Sequence, residues 1–405
     1  MRLLIVSQYF WPENFRINDL ASELVRRGHV VTVLTGLPNY PSGQIYEEFL
    51  IDSEKFSNYK DIRILRVPLL ARGNGSLRLL LNYLSFLISS CVLGPWKLRG
   101  QRFDLVLTCQ LSPVTVGLSG ALLAWQKNAP MVMWVLDLWP DTLKAIGAVK
   151  SPRLLSYVGS LVGFIYRRCD FILAQSRSFI PKIESLAGSS IPVVYFPSWA
   201  ENVFQGVGLT TAPEVPVKER GFNVMFAGNV GEAQDFECIL SAATLLKEHS
   251  NIRWLIVGDG RKSAWVQNEI ELRGLAECVI LLGRHPVDRM PEFFSLADAM
   301  LVTLADQEIF SMTIPGKIQS YLASGKPIVA ALNGEGADVI KSANAGFVCA
   351  AGNAAGLAEL VLKMASLPIS EIQVMGKNGI EYSNREFDRR TAVDMAEIYF
   401  SRLLK

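Results

Sequence analysis

Asp137 stands where an apolar run ends, in Trp134-Val135-Leu136-Asp137-Leu138-Trp139-Pro140-Asp141, with an indole on either side. A carboxylate and aromatic rings at the carboxyl end of a strand suit a sugar, because the rings cover apolar C–H faces while the oxygens accept hydroxyls. Asp137 is therefore the candidate catalytic group, as an orienter or proton handler, and Trp139 a candidate sugar or acceptor contact. The plainer alternative is that Asp141 caps the helix that follows; both readings can hold together.

Two cations stand at predicted helix starts, where a positive charge opposes the helix dipole and a bound anion would relieve the mismatch. Arg16 follows the loop Trp11-Pro12-Glu13-Asn14-Phe15, and Lys317 follows Thr313-Ile314-Pro315-Gly316. Two such cations facing one cleft could neutralise a diphosphate; the alternatives are an exposed arginine on a solvated first turn and a surface lysine. Val257-Gly258-Asp259-Gly260-Arg261 closes a strand, and its glycines allow close approach of backbone and ligand, although a plain strand-to-helix turn reads the same way. Gly228, Gly258, Asp259, Gly260, Arg284, His285 and Ser320 are the candidate nucleotide contacts, with Asn229 and Arg261 joining the diphosphate. Asn14 and Glu308 join Trp139 as candidate sugar or acceptor contacts. His29 reads as structural.

These residues need elements to hold them. RLLIVSQYF, the loop WPENFR, the helix INDLASELVRR, Gly28 as its stop and the strand VVTVLT make a βαβ unit whose strands are the continuous apolar runs of a covered parallel sheet. FNVMFAG, NVGEAQD, FECILSAATLLKEH and IRWLIVGDG repeat the plan. A right-handed crossover makes each strand pair parallel and brings both loops to the carboxyl ends, where such sheets bind ligands. In Thr313–Pro327, Pro315 and Gly316 begin a helix, Ile318, Tyr321 and Leu322 form its buried face, and Gly325 stops it. The expected organisation is α/β, with domains 1–200 and 201–384 facing a central cleft, a linker near Trp199 to Gly221, and a helix at about 385–405 crossing back to the first domain.

The 405 residues exceed one ordinary core, and a hydrophobic share of 50% against 19% charged residues permits two. A net charge of +2 gives no whole-molecule attraction to nucleic acid. Six cysteines lie singly, without metal-ligand spacing, so neither a zinc site nor a disulfide frame is expected and a cytoplasmic setting fits. The apolar run from Leu3 to Val6 is too short for a signal peptide. Residues 79–96 are strongly apolar but carry Asn82, several serines and Gly94-Pro95, with Arg78 before and Lys97, Arg99 and Arg102 after. They read either as a helix lying on an anionic leaflet, which would make the protein peripheral to the inner membrane, or as a buried core helix.

The stretches YFWPENFRINDLASELVRRGHVVTVLTGLPNYPSG, DLWPD, FAGNVGEAQDFE, VGDG, LLGRHP and TIPGKIQSYLASGKPIVA span nearly the whole chain. Together they resemble the retaining glycosyltransferases of family 4, with two Rossmann-like doubly wound domains in the GT-B fold. Within that family the resemblance is to the bacterial O-antigen and exopolysaccharide branch, including N-acetylfucosamine transferases. It implies transfer of a sugar from a UDP-sugar to a polyprenyl-diphosphate-linked saccharide at the inner leaflet, with retention, without a metal or other cofactor, and with positive side chains stabilising the leaving diphosphate. The chain departs from the family in three places: Phe15-Arg16 stand where it has Gly-Gly, Asn229 and Gln234 where it has an Arg and a Lys, and Met312 and Ser320 where it has paired glutamates. Arg16, Lys317 and Arg261 are then the cations left for the diphosphate, and Ser320 can still bond a ribose hydroxyl. The competing readings are a UDP-sugar 2-epimerase using Asp137, Glu308 and His285, and a non-catalytic membrane-associated scaffold.

Overall fold

The computed structural model describes residues 1–73, 75–204, 211–216 and 221–404. The chain forms two compact units, Met1–Pro197 with Arg389–Lys405, and Ser198–Asp388. Within the stretch read as a linker, residues 205–210 and 217–220 lie outside the described residues, while Ala212 and Val215 are buried.

The first unit is built on an eight-stranded sheet of order β3-β4-β2-β1-β5-β6-β7-β8. Its strands are β1 (Arg2–Val6), β2 (Val30–Thr35), β3 (Asn58–Tyr59), β4 (Ile62–Arg66), β5 (Leu105–Gln110), β6 (Met131–Val135), β7 (Phe171–Ala174) and β8 (Val193–Tyr195). All neighbours run parallel except β3, which pairs antiparallel with β4. The central strands are buried along their length, as their unbroken apolar sequences require. The connection from β1 to β2 and that from β5 to β6 lead away from the β1–β5 pair in opposite directions. Right-handed crossovers therefore put helix Arg16–Arg26 on one face and helix Val116–Lys127 on the other. On the second face the helices pack in a row, Ser76–Lys97 on Val116–Lys127, then Pro152–Tyr166, then Phe179–Ala187.

Residues 79–96 fall within helix Ser76–Lys97, and its two sides differ. Asn82, Phe86, Ser90 and Gly94, one turn apart, are buried, and Asn82 is fixed by a bond from Gln8 Nε2 (2.7 Å) and one to the Leu70 carbonyl (2.6 Å). Leu84, Ile88, Val92 and Trp96 are exposed, Val92 to 65% and Trp96 to 69%. The reading as a buried core helix fails, because only 22% of the most apolar window is buried.

The tail helix, Arg389–Leu403, belongs to the first unit and packs on helix Arg16–Arg26 through buried Val393, Ala396 and Phe400. Arg27 donates to Asp394 and to Glu397 (2.6 Å), His29 Nε2 meets Glu397 (2.6 Å), and Tyr399 lies 4.7 Å from the Phe171 ring.

The second unit carries a six-stranded sheet of order β11-β10-β9-β12-β13-β14. Its strands, all parallel, are β9 (Phe222–Ala227), β10 (Ile252–Val257), β11 (Val279–Gly283), β12 (Ala299–Thr303), β13 (Ile328–Ala331) and β14 (Gly346–Cys349). Helix Gly316–Ala323 ends at Gly325, whose φ of +69° suits glycine, and packs on helix Ile369–Glu386.

Candidate active site

In the second unit the loops after β9 and β10 meet backbone to backbone. Gly228 (φ +143°) donates to the Val257 carbonyl at 2.8 Å, and a Cβ on Gly258 (φ +139°) would lie 1.8 Å from the Gly228 oxygen. A Cβ on Gly260 would lie 2.3 Å from the Val230 oxygen. The glycines thus serve first to let two strand ends cross, and this leaves a surface of bare backbone open to a ligand.

Against that surface lies Lys317, in the first turn of its helix as the sequence predicts. A Cβ on Gly228 would meet Lys317 Cε at 2.6 Å, so the glycine also makes room for the lysine stem. Lys317 Nζ donates to Gln234 Oε1 at 2.5 Å and sits 3.4 Å from the centre of the Phe226 ring. Burial of this ammonium pushes its pKa well below the usual lysine range, although part of the residue still meets solvent. Gln234, standing where the resemblance puts a cation, is the acceptor that positions this one. Asn229 and Arg261 are exposed on the two loops.

Other predicted nucleotide contacts are engaged elsewhere. The Asp259 carboxylate accepts from Ser263 and from Gly260 N (2.7 Å), which lowers its pKa, so it shapes its own turn with Arg284 nearby. His285 bonds the Leu282 carbonyl through Nε2 (2.8 Å) and packs 4.6 Å from the Phe293 ring; its side chain holds the loop. Ser320 is buried, and its one hydroxyl proton is within reach of the Gly316 carbonyl (3.2 Å) and of Glu201 (3.5 Å). Glu308 is exposed at the start of the short helix Glu308–Ser311.

In the first unit, Asp137 and Trp139 come together at the end of β6. Trp139 Nε1 donates to Asp137 Oδ2 (3.1 Å) and Thr142 Oγ1 to Oδ1 (2.5 Å). Both oxygens are used within the loop, and burial raises the carboxyl pKa to about 6. The bond from Trp139 to Asp137 sets the Trp139 ring, which lies 6.5 Å from Tyr83. Asp141 is not a cap either; Pro140 occupies the N-cap position without a side-chain bond, and Asp141 faces Lys182 at 3.4 Å.

The loop after β1 holds the carboxylate that sequence reasoning missed. Glu13 is buried and accepts from the backbone of Asn39 (2.8 Å), Tyr40 (2.7 Å) and Phe10 (3.3 Å), with burial raising its pKa to about 7. Asn18 completes the knot, accepting from Trp11 N (3.1 Å) and donating to the Glu13 carbonyl (2.7 Å). This knot presents Asn14, exposed, and Arg16, the first residue of its helix. The one available signal was an acid immediately after Pro12, in a loop that ends an apolar strand.

Comparison with known proteins bears on the fold and the family. Residues 14–199 match the family model for a glycosyl transferase 4-like domain, and residues 221–366 that for glycosyl transferases group 1. WbjE of Pseudomonas aeruginosa, described as a glycosyltransferase, is 27% identical over 304 residues, which cover 71% of this chain and 74% of that protein. WcaI of Escherichia coli, described as a colanic acid biosynthesis glycosyl transferase, is 25% identical over 348 residues, covering 80% and 82%. The crystal structure of Anabaena HepE in complex with UDP superposes with a TM-score of 0.70 at 15% identity, over 99% of this chain and 100% of that one. Each unit matches its own glycosyltransferase model and the fold is shared along the chain, so this protein belongs to the family 4 glycosyltransferases, enzymes of the GT-B fold.

Proposed function

We propose that the enzyme transfers a sugar from a UDP-sugar to a polyprenyl-diphosphate-linked saccharide during O-antigen, capsule or exopolysaccharide synthesis. The anomeric configuration is retained, and the donor is an N-acetylated deoxyhexose such as N-acetylfucosamine. The observation that carries the donor assignment is the second unit's bare-backbone surface at Gly228 and Gly258 with Lys317 beside it. Backbone N–H groups and an ammonium at a helix start stabilise charge as it develops on a leaving diphosphate, which is where the reaction needs help. Arg261 and Asn229 flank that surface, and Arg16 is the candidate cation of the first unit. No metal is required by this scheme, because fixed cations and dipoles serve in its place.

HepE, whose structure holds UDP, supports a uridine nucleotide as donor, and WcaI, named for colanic acid, supports a polysaccharide product. The exposed apolar side of helix Ser76–Lys97, which ends on Lys97 and is followed by Arg99 and Arg102, supports work at the inner leaflet, where such a lipid acceptor resides. The test is incubation of the purified protein with a panel of UDP-sugars and a lipid-linked acceptor, read by mass spectrometry. Acceptor-dependent release of UDP with a mass gain of one sugar is expected; isomerised donor without acceptor would overturn transfer in favour of epimerisation.

A further inference from the structure

The first unit has a groove of about 980 Å³ beside the Asp137–Trp139 loop, lined by that loop, helix Pro152–Tyr166 and helix Phe179–Ala187. We propose that it binds the diphosphate end of an isoprenoid lipid, an inference that deepens the proposed function by locating its acceptor.

Charge and shape carry the assignment. Four cations, Lys144, Lys150, Arg167 and Lys182, line the groove with a single carboxylate, Asp141. Lys144 and Lys150 are exposed and have no ion-pair partner among the described residues. A site with this surplus of positive charge fits a multiply charged anion better than a neutral sugar. Between the cations the wall is apolar, with Val149, Leu155 and Leu186. Gly159 opens the floor: a Cβ there would meet only Pro140 Cγ, at 3.9 Å. On the same helix, Leu154, Tyr157 and Phe164 are exposed, Tyr157 to 73%. A groove whose cations are interleaved with an apolar wall suits a ligand with a diphosphate at one end and a hydrocarbon chain at the other. The helix row of this face also contains Ser76–Lys97, whose exposed leucines and Trp96 extend the apolar surface. The groove runs from Trp139 and Lys150, beyond the carboxyl end of β6, along helix Pro152–Tyr166 to Arg167, ahead of β7, so a sugar attached to a diphosphate held at the Lys144 and Lys150 end starts beside the aromatic ring set by Asp137.

Farnesyl diphosphate, a soluble isoprenoid diphosphate, is the probe, added to the full chain in an isothermal calorimeter. Saturable one-to-one binding is expected, at least tenfold tighter than that of inorganic diphosphate or farnesol. Gly159→Leu fills the groove and is expected to weaken the probe at least tenfold while leaving UDP affinity, a property of the second unit, within twofold. Lys144→Gln and Lys150→Gln are exposed changes that leave packing intact, and each is expected to weaken the probe at least threefold. Should Gly159→Leu fail to fold by circular dichroism, these two variants decide alone. Unchanged binding in them, inorganic diphosphate binding as tightly as the probe, or full displacement of the probe by phosphatidylglycerol vesicles would overturn the assignment, the last in favour of a general lipid-headgroup patch. Probe binding without sugar transfer from any UDP-sugar would sink the proposed function and leave the groove standing; transfer without probe binding would do the reverse.

Discussion

At the scale of single residues, Lys317 and Glu13 show how far chemistry can be read from sequence. Pro315 and Gly316 announce a helix start, so the position of Lys317 was legible; its seat on Phe226 and Gln234 was not, because those partners lie more than eighty positions away. Burial depresses the Lys317 pKa, and an arriving diphosphate, which favours the charged form, raises it again. UDP binding is therefore expected to take up protons increasingly as the pH is raised from neutral toward the ordinary lysine range, seen as a slope of calorimetric enthalpy against buffer ionisation enthalpy. In Lys317→Met the slope should vanish and affinity fall about tenfold or more, the loss of one charge-assisted contact; a flat plot for the native protein would refute this. Glu13 carries the opposite sign. Its pKa rises from 4.5 to about 7, so between these values the folded state holds a proton that the unfolded state has released, and stability falls as pH rises through that window. Glu13→Gln should abolish this slope in urea unfolding measured from pH 4.5 to 8. It should also cost about 1–3 kcal/mol, because an amide NH₂ then faces backbone donors.

At the scale of elements, strands were legible as unbroken apolar runs and helices by their stop glycines, since both signals are local. Helix Ser76–Lys97 was ambiguous for a physical reason: a long apolar helix has the same composition whether protein or lipid covers it. Its buried stripe, Asn82, Phe86, Ser90 and Gly94, is the less apolar side, which an average over the segment hides. The loop glycines carried a similar ambiguity, for Gly258 is required by the crossing with Gly228 whether or not a ligand follows. If the exposed side meets the bilayer, Ile88→Asp with Val92→Asp places two charges where lipid would be, while both positions are open to solvent in the free protein. Co-sedimentation with phosphatidylglycerol vesicles should fall at least tenfold, and the melting temperature should hold within about 2 °C, as surface changes do. Vesicle binding at the native level would assign this side to something other than lipid.

At the scale of the whole molecule, the repeated βαβ opening predicted two α/β units, whereas the membership of the last helix depends on contacts no local pattern contains. Arg27 and His29, in and just after the first helix, find Asp394 and Glu397 more than three hundred and sixty residues later. The tail therefore closes the first unit after the second has been made, so the first cannot be complete until residues beyond Asp388 have been added. A chain ending at Asp388 would uncover the surface that Val393, Ala396 and Phe400 now bury, at about 1.5–3 kcal/mol for each large apolar side chain, and would leave Arg27 with Glu23 but without Asp394 and Glu397. Because overall stability is of order 5–15 kcal/mol, this is enough to unfold the first unit near physiological temperature. The second unit contains none of these contacts. Scanning calorimetry of the shortened chain should show the first unit's transition lost or lowered by about 10 °C or more, with the second unit's transition still raised by UDP through mass action. If the first unit melted as in the full chain, the tail helix would be an accessory rather than part of its core.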